Sequence, residues 1–254
     1  PAPRPANSVL DNAALRLRAT LSAKGYEPLP LNIGSATDAY QPVERRLRLT
    51  RGLIEVLAEF RHAFSIITKS SGVERDIDLL APMARDNLAA VYVSVPTLDG
   101  ALARIMEPRA ASPERRIKTI EALAKAGIPV GVSVSPMIPF INEPELEHVL
   151  ERAREAGATS AFATVLRLPW EVNPLFQQWL AAHFPKRAAR VMARVHEMRG
   201  GRDNDPRFRS RMTGQGVWAQ LLAQRFEKAT QRLGLRTERR PLDLSAFRRA
   251  APAP

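Results

Sequence analysis

Ile33-Gly-Ser-Ala-Thr-Asp-Ala-Tyr-Gln-Pro-Val-Glu-Arg-Arg46 is the stretch whose reading decides the fold. The run leaves an apolar strand at Leu31–Ile33, crosses a Gly34 turn dense with polar groups, and opens a helix behind Pro42. An α/β protein presents its binding groups in this way, at the carboxyl end of a strand. Outward from the turn the alternation repeats. Leu29–Ile33, Phe64–Thr68, Ala89–Val95, Pro129–Val134 and Ser160–Leu166 read as strands, each almost continuously apolar. Helical periodicity fills Val9–Lys24, Val43–Arg61, Glu74–Asp86 and Pro113–Ala126. Ser112 and Pro113 suit a helix start. Asn142-Glu-Pro-Glu145 spells a capping box that opens a further helix to Ala156. Buried strands separated by helices predict an α/β fold whose parallel sheet curls into a full or partial barrel. The pattern opens on a helix, so a first strand is expected to be missing.

From Val172 the pattern is all helical. Ala188, Val191, Met192, Val195 and Met198 form one apolar face, with Arg187, Arg190 and Arg194 on the other. Val217–Leu233 is a second amphipathic helix, predicted to turn Val217, Trp218, Leu221 and Phe226 inward. The expected organisation is a barrel over residues 1–184, a basic helical extension over 185–235 and a disordered tail over 236–254.

The formal net charge of +12 is segregated. Residues 185–254 hold 17 Lys and Arg against 6 Asp and Glu, whereas residues 1–184 are nearly balanced at 21 against 20. Such a segment expects an anionic partner, nucleic acid first and an acidic protein or membrane surface second, although a solvated charged face is an equal alternative. No apolar run approaches the ~18 residues of a membrane span, and a cytoplasmic location is the default. Cysteine is absent, which excludes disulfides and any thiolate-held metal or cluster built by this chain alone. The 4 histidines lie far apart without ligand spacing, so no metal site is predicted.

In a parallel barrel the residues just past each strand face the ligand. Here they are Ser35, Thr37 and Asp38, then Thr68, Lys69 and Ser70, then Ser94 and Thr97, Ser133 and Ser135, and Arg167. Hydroxyls with one ammonium and one carboxylate suit a zwitterion, although each residue alone also fits an ordinary turn or cap. Lys69, flanked by Thr68, Ser70 and Ser71, reads as an anion contact rather than a Schiff-base lysine. Tyr40 is a hydrogen donor or, more simply, a lid over the pocket. Glu107 and Arg109 either brace the start of the next helix or touch a ligand. The Arg167 guanidinium suits a phosphate or carboxylate.

An ordered series of short motifs carries a resemblance. It runs Gly34-Ser-Ala-Thr-Asp-Ala-Tyr-Gln-Pro42, Thr50-Arg51, Thr68-Lys-Ser70, Arg75-Asp-Ile-Asp-Leu-Leu80, Ser94, Leu102-Ala-Arg104 and Glu107-Pro-Arg109. It continues through Ala126-Gly-Ile-Pro129, Pro136-Met-Ile-Pro139, Leu166-Arg-Leu-Pro169 and Arg211-Met-Thr-Gly214. The chain resembles the radical S-adenosylmethionine (SAM) proteins related to spore photoproduct lyase. That resemblance implies a partial (β/α)6 TIM-type barrel, a [4Fe-4S] cluster on a C-x3-C-x-Y-C loop, reductive cleavage of SAM, and an external electron donor. The radical formed would take a hydrogen from a substrate that the resemblance does not identify, nucleic acid being one candidate. By the same likeness Ser35, Thr37, Asp38, Lys69 and Ser94 are the expected SAM contacts, and Tyr40, Glu107 and Arg109 are weak catalytic candidates. The departures are the absent cluster loop, Ala39 in place of a frequent Pro, and Phe140-Ile141 in place of a frequent Gly-Leu. The expected explanation of the first is a fragment cut after the cluster loop, inactive without its cysteines. A cysteine-free barrel kept as a binding module for nucleic acid or another anionic partner is the alternative.

Overall fold

The computed structural model describes residues 12–205, 207 and 210–249. The first residues of the helix expected from Val9, and the last of the tail, lie outside these. Five strands form a sheet in the order β1-β2-β3-β4-β5: β1 (Leu31–Ile33), β2 (Phe64–Thr68), β3 (Ala89–Ser94), β4 (Val130–Met137) and β5 (Ser160–Val165). The α/β reading with a parallel sheet therefore holds, and the barrel is partial. Two compact units are distinguished, one comprising residues 1–91, 126–129 and 240–254, the other residues 92–125 and 130–239.

In the first unit β1 and β2 pair in parallel, with Leu31 beside Phe64 and Ile33 beside Ile66. α1 (Ala13–Ser22) packs on α3 (Leu49–Glu59), and α4 (Ile77–Arg85) packs on α3 as well. Leu21, Ile54, Phe60, Phe64, Ile66, Leu80 and Leu88 are all fully buried. Each such side chain is worth about 1.5–3 kcal/mol of burial. The single helix expected over Val43–Arg61 is two, because Arg48 adopts φ 49° between α2 (Glu44–Leu47) and α3. The break is stabilised from within: the Glu44 carboxylate accepts the Thr50 backbone N–H at 3.0 Å, doing at the head of α3 what a capping side chain does. Gly34 must be glycine, since its φ is +90° and a Cβ there would stand 2.1 Å from the Ile67 carbonyl oxygen.

The tail expected to be disordered from residue 236 makes defined contacts as far as Arg249. The Phe247 ring packs against Tyr26, Phe60 and His62, and the Arg248 N–H donates to the Phe60 carbonyl at 2.9 Å. Packing of one half-buried aromatic ring against three others orders this part of the Pro- and Ala-rich tail.

In the second unit β4 and β5 are parallel, Gly131 beside Ser160 and Ser133 beside Phe162, with a register shift between Val134 and Met137. A helix missing from the sequence reading, α5 (Gly100–Met106), follows β3 and is capped by Asp99, whose carboxylate accepts from the Ala101 and Leu102 N–H groups. α6 (Pro113–Lys125) starts as predicted, with the Ser112 hydroxyl accepting from the Arg115 N–H. The capping box at Asn142 does not form. Asn142 is fully buried and its side chain accepts from the Ile138 N–H and donates to the Pro96 and Pro136 carbonyls. A short 3-10 turn over Glu143–Glu145 then leads into α7 (Leu146–Glu155).

The helices after β5 are α8 (Val172–His183), α9 (Pro185–Met198), α10 (Ser210–Thr213) and α11 (Gly216–Leu233). α9 buries Val191, Val195 and Met198 as its periodicity predicts. On α11 the predicted face is displaced: Ala219, Leu222, Ala229 and Thr230 are buried, whereas Val217 and Leu221 are exposed. α11 packs against α7 and α9, and its buried stripe includes the small residues Ala219 and Ala229 rather than its largest side chains. None of the described helices is long and apolar enough to cross a membrane.

Candidate functional site

In the first unit the polar turn after β1 is tied to the end of β2 by one carboxylate. Asp38 Oδ1 accepts the Tyr40 N–H at 2.8 Å and the Thr68 hydroxyl at 2.7 Å, while Oδ2 accepts the Lys69 N–H at 2.7 Å. The Thr68 hydroxyl in turn accepts the Ser70 N–H at 3.0 Å, and the Ser70 hydroxyl caps the next turn by accepting from Gly72. The sequence-predicted residues Asp38, Thr68, Lys69 and Ser70 are thus brought together. Ser35 and Thr37 stand exposed on the same turn, and Asp38 and Lys69 are half-buried. A carboxylate offers about four acceptor positions, so Asp38 Oδ2 keeps one for an incoming donor such as an amine.

Below this turn lies a charged cluster that sequence reasoning missed. Asp76 is fully buried, and it accepts from the Tyr40 hydroxyl at 3.0 Å, from Arg51 Nη1 at 3.1 Å, and from Arg75 Nε at 3.0 Å. Arg75 also donates to the Glu44 carboxylate at 3.0 Å, and Arg51 to Asp78 at 2.7 Å. Burial and the Asp76 charge hold the Tyr40 phenol far above the usual phenol range, so it stays protonated. Tyr40 is 6% exposed and is a strut under the turn, which corrects its expected place as a lid. The Arg75-Asp-Ile-Asp78 run carries the only signal in the sequence, a pair of carboxylates beside an arginine.

In the second unit Ser94 ends β3 and is buried. Arg116, 2% exposed, holds that strand end: Nη1 donates to the Ser94 carbonyl at 3.0 Å, Nε to the Ala111 carbonyl at 2.7 Å, and Nη2 to the Glu107 carboxylate at 2.6 Å. Glu107 is therefore a brace for the start of α6, through Arg116 rather than through Arg109, which is exposed. Glu145, expected in a capping box, instead accepts from the Thr97 hydroxyl at 2.6 Å and from the Leu98 N–H at 2.8 Å, fixing the loop after β3.

Ser133 and Ser135 carry buried hydroxyl oxygens that find no hydrogen-bond partner among the described residues. Gly131, two residues before Ser133 on the same face of β4, is closely packed by its neighbours: a Cβ would meet Ser160 Oγ at 2.5 Å and the Tyr92 ring at 2.6 Å. Arg167 reaches the Met212 sulfur at 3.7 Å, and buried Arg199 caps the end of β5, donating to the Val165 and Leu166 carbonyls. Burial lowers the Arg199 pKa, and Arg167 nearby adds to that. No group of three or more potential metal ligands occurs among the described residues.

Residues 30–153 match the radical SAM superfamily. The chain is 32% identical over 184 residues to an uncharacterized protein of Mycobacterium tuberculosis, covering 72% of this chain and 54% of that one. It is 33% identical over 113 residues to an uncharacterized protein of Methanocaldococcus jannaschii, covering 44% and 42% respectively. The chain thus spans about half the length of the curated relatives it matches. Its fold is similar to spore photoproduct lyase, with a TM-score of 0.59 at 14% identity over 89% of this chain and 64% of that one. A spore photoproduct lyase complexed with dinucleoside spore photoproduct gives a TM-score of 0.58 at 13% identity over the same shares. The superfamily implies a four-iron cluster and SAM. The cluster does not fit the residues present, because none of the 254 is cysteine. The polar turn groups one Asp38 carboxylate, the exposed Ser35 and Thr37 hydroxyls, and Lys69.

Proposed function

We propose, for a chain whose residues 30–153 carry the radical SAM superfamily match, that it is the SAM-holding part of a radical SAM enzyme. The cluster thiolates would be supplied by sequence outside these 254 residues, and an external donor would supply the electron. The observation that carries this reading is the Asp38 carboxylate binding the Lys69 backbone N–H at 2.7 Å, which sets the Lys69 residue beside the polar turn. When bound, SAM would supply a 5′-deoxyadenosyl radical precursor. This chain's own part is to hold it: the Lys69 ammonium pairs with the methionine carboxylate, and Asp38 Oδ2, with Ser35 or Thr37, accepts from the methionine amine. Tyr40, Glu107 and Arg109 take no part in binding on this reading.

The experiment is a calorimetric titration of the chain with SAM, followed by iron and sulfide reconstitution. Saturable heat with no four-iron EPR signal supports the proposal. Absence of SAM binding contradicts it, and a four-iron signal from this cysteine-free chain would overturn the assignment of the cluster ligands to other sequence. Reading in frame upstream of the gene segment gives an independent check, since a C-x3-C-x-Y-C segment is expected there.

The substrate class is proposed to be nucleic acid, through the basic residues 185–254. The segregated charge, 17 basic against 6 acidic residues, supports this. So does a structural neighbour that binds a dinucleoside photoproduct. A cysteine-free module that binds nucleic acid without chemistry rests on the same charge. It would bind oligonucleotide with steep salt dependence and would show no affinity for SAM.

A further inference from the structure

The basic excess of the C-terminal quarter is not spread evenly over its helices. On α11 the arginines are neutralised: Arg225 pairs with Glu143 and, at 2.8 Å, with Glu147, and Arg232 pairs with Glu151 at 2.6 Å. On α9 they are not. Arg194 has Glu197, but Lys186, Arg187 and Arg190 form no ion pair with a carboxylate among the described residues. Arg190 lays its guanidinium over the Phe140 ring, 3.9 Å from the centroid, and Arg187 donates to the Phe140 carbonyl at 3.1 Å. All three cations are exposed.

This arrangement works against the helix that carries it. Lys186 and Arg187 occupy the first turn of α9, which holds no acidic residue, where the helix dipole disfavours positive charge. Arg187, Arg190 and Arg194 are spaced three and four residues apart, so like charges face one another along one stripe. A sequence selected for stability alone would place acids here. The stripe makes physical sense when a polyanion neutralises it. From Lys186 to Arg190 the stripe is four residue steps at 1.5 Å rise, about 6 Å, close to two phosphate steps of about 3.4 Å along one strand of a duplex. The Phe140 ring under Arg190 holds that guanidinium flat while leaving its N–H edge outward.

We infer that the Lys186–Arg187–Arg190 stripe of α9, seated on Phe140, is a docking surface for the phosphate backbone of nucleic acid. This rests on the nucleic-acid reading of the basic quarter and adds where the strand lies. The stripe grips backbone and carries no base readout, so binding is independent of sequence.

The test is fluorescence anisotropy of the full chain with a labelled DNA oligonucleotide across a salt series. The variant K186Q/R187Q/R190Q is expected to bind at least about tenfold more weakly at low salt, with a slope shallower by up to about 3, near 0.9 for each phosphate no longer neutralised. A control removing the same charge elsewhere, R16Q/R85Q/R104Q, is expected to change affinity by less than about threefold. R190K, which keeps the charge, should retain most of the binding. Circular dichroism checks that the variants stay folded; should the triple variant unfold, R190Q alone, compared with R190K, carries the test. Wild-type chain that ignores the oligonucleotide even at low salt overturns the nucleic-acid reading itself. Binding that the α9 variant keeps, or loses no more than the control, overturns only its placement. Capture by phosphatidylserine vesicles without oligonucleotide binding would assign the stripe to a membrane surface and so contradict the proposal.

Discussion

The Asp38 carboxylate holds the Lys69 backbone N–H at 2.7 Å and the Thr68 hydroxyl at 2.7 Å, so one acidic side chain locks the turn after β1 to the end of β2. Two loops that lie 30 residues apart in sequence become one platform through it. The exposed Ser35 and Thr37 lie on the turn that this tie anchors.

D38N tests the lock. The amide keeps one acceptor oxygen and turns an NH2 toward a donor, leaving at least one of three partners unsatisfied. The expected cost is about 1–3 kcal/mol, read as a lower urea midpoint at unchanged slope. SAM binding should weaken with it.

R116M tests the brace at Ser94. Removing the guanidinium takes a 2.6 Å ion-pair partner from the Glu107 carboxylate, which is 11% exposed, and frees the Ser94 and Ala111 carbonyls. A loss of about 3 kcal/mol is expected, and R116K should recover little of it, because an ammonium cannot reproduce the planar fork. Thermal unfolding monitored by circular dichroism checks both.

His62 gives the pH dependence. It is fully buried, its Nδ1–H donates to the Ala63 carbonyl at 2.9 Å, its Nε2 accepts the Tyr26 hydroxyl at 2.7 Å in the neutral ring, and burial lowers its pKa. A histidine kept neutral in the fold binds fewer protons than in the unfolded chain over the window below the ordinary value. Stability from it is therefore complete above about pH 6.5 and is lost as pH falls from there toward the depressed folded value. Urea midpoints measured near neutrality and again at about pH 5 should differ more for the wild type than for H62Q. An equal difference would remove His62 from the account.

G34A should cost roughly 2 kcal/mol or more, since φ +90° is closed to L residues and the new Cβ would press on the Ile67 carbonyl. Chemical denaturation reads it directly.

How much of the fold is legible in the sequence depends on range. Phe64–Thr68 is legible to the residue, because a buried parallel strand is a continuous apolar run between polar ends. α5 is not, because its 7 residues show too little periodicity, although Asp99 before Gly-Ala-Leu is a readable cap. Asn142 and Glu145 mislead for one reason: a local capping pattern loses to the distant partners Pro96 and Leu98. Of the site, Asp38 and Lys69 are found by their place at strand ends. Asp76, Arg116 and Arg199 are not, since a buried charge is specified by partners from distant segments that no local pattern encodes.

The central claim, that the turn after β1 together with Lys69 holds SAM, is tested most directly by calorimetric titration of SAM into the wild type and K69A. The account predicts saturable binding in the wild type and a loss of at least about tenfold in K69A, with the fold intact by circular dichroism. Equal affinity in the two proteins would contradict it.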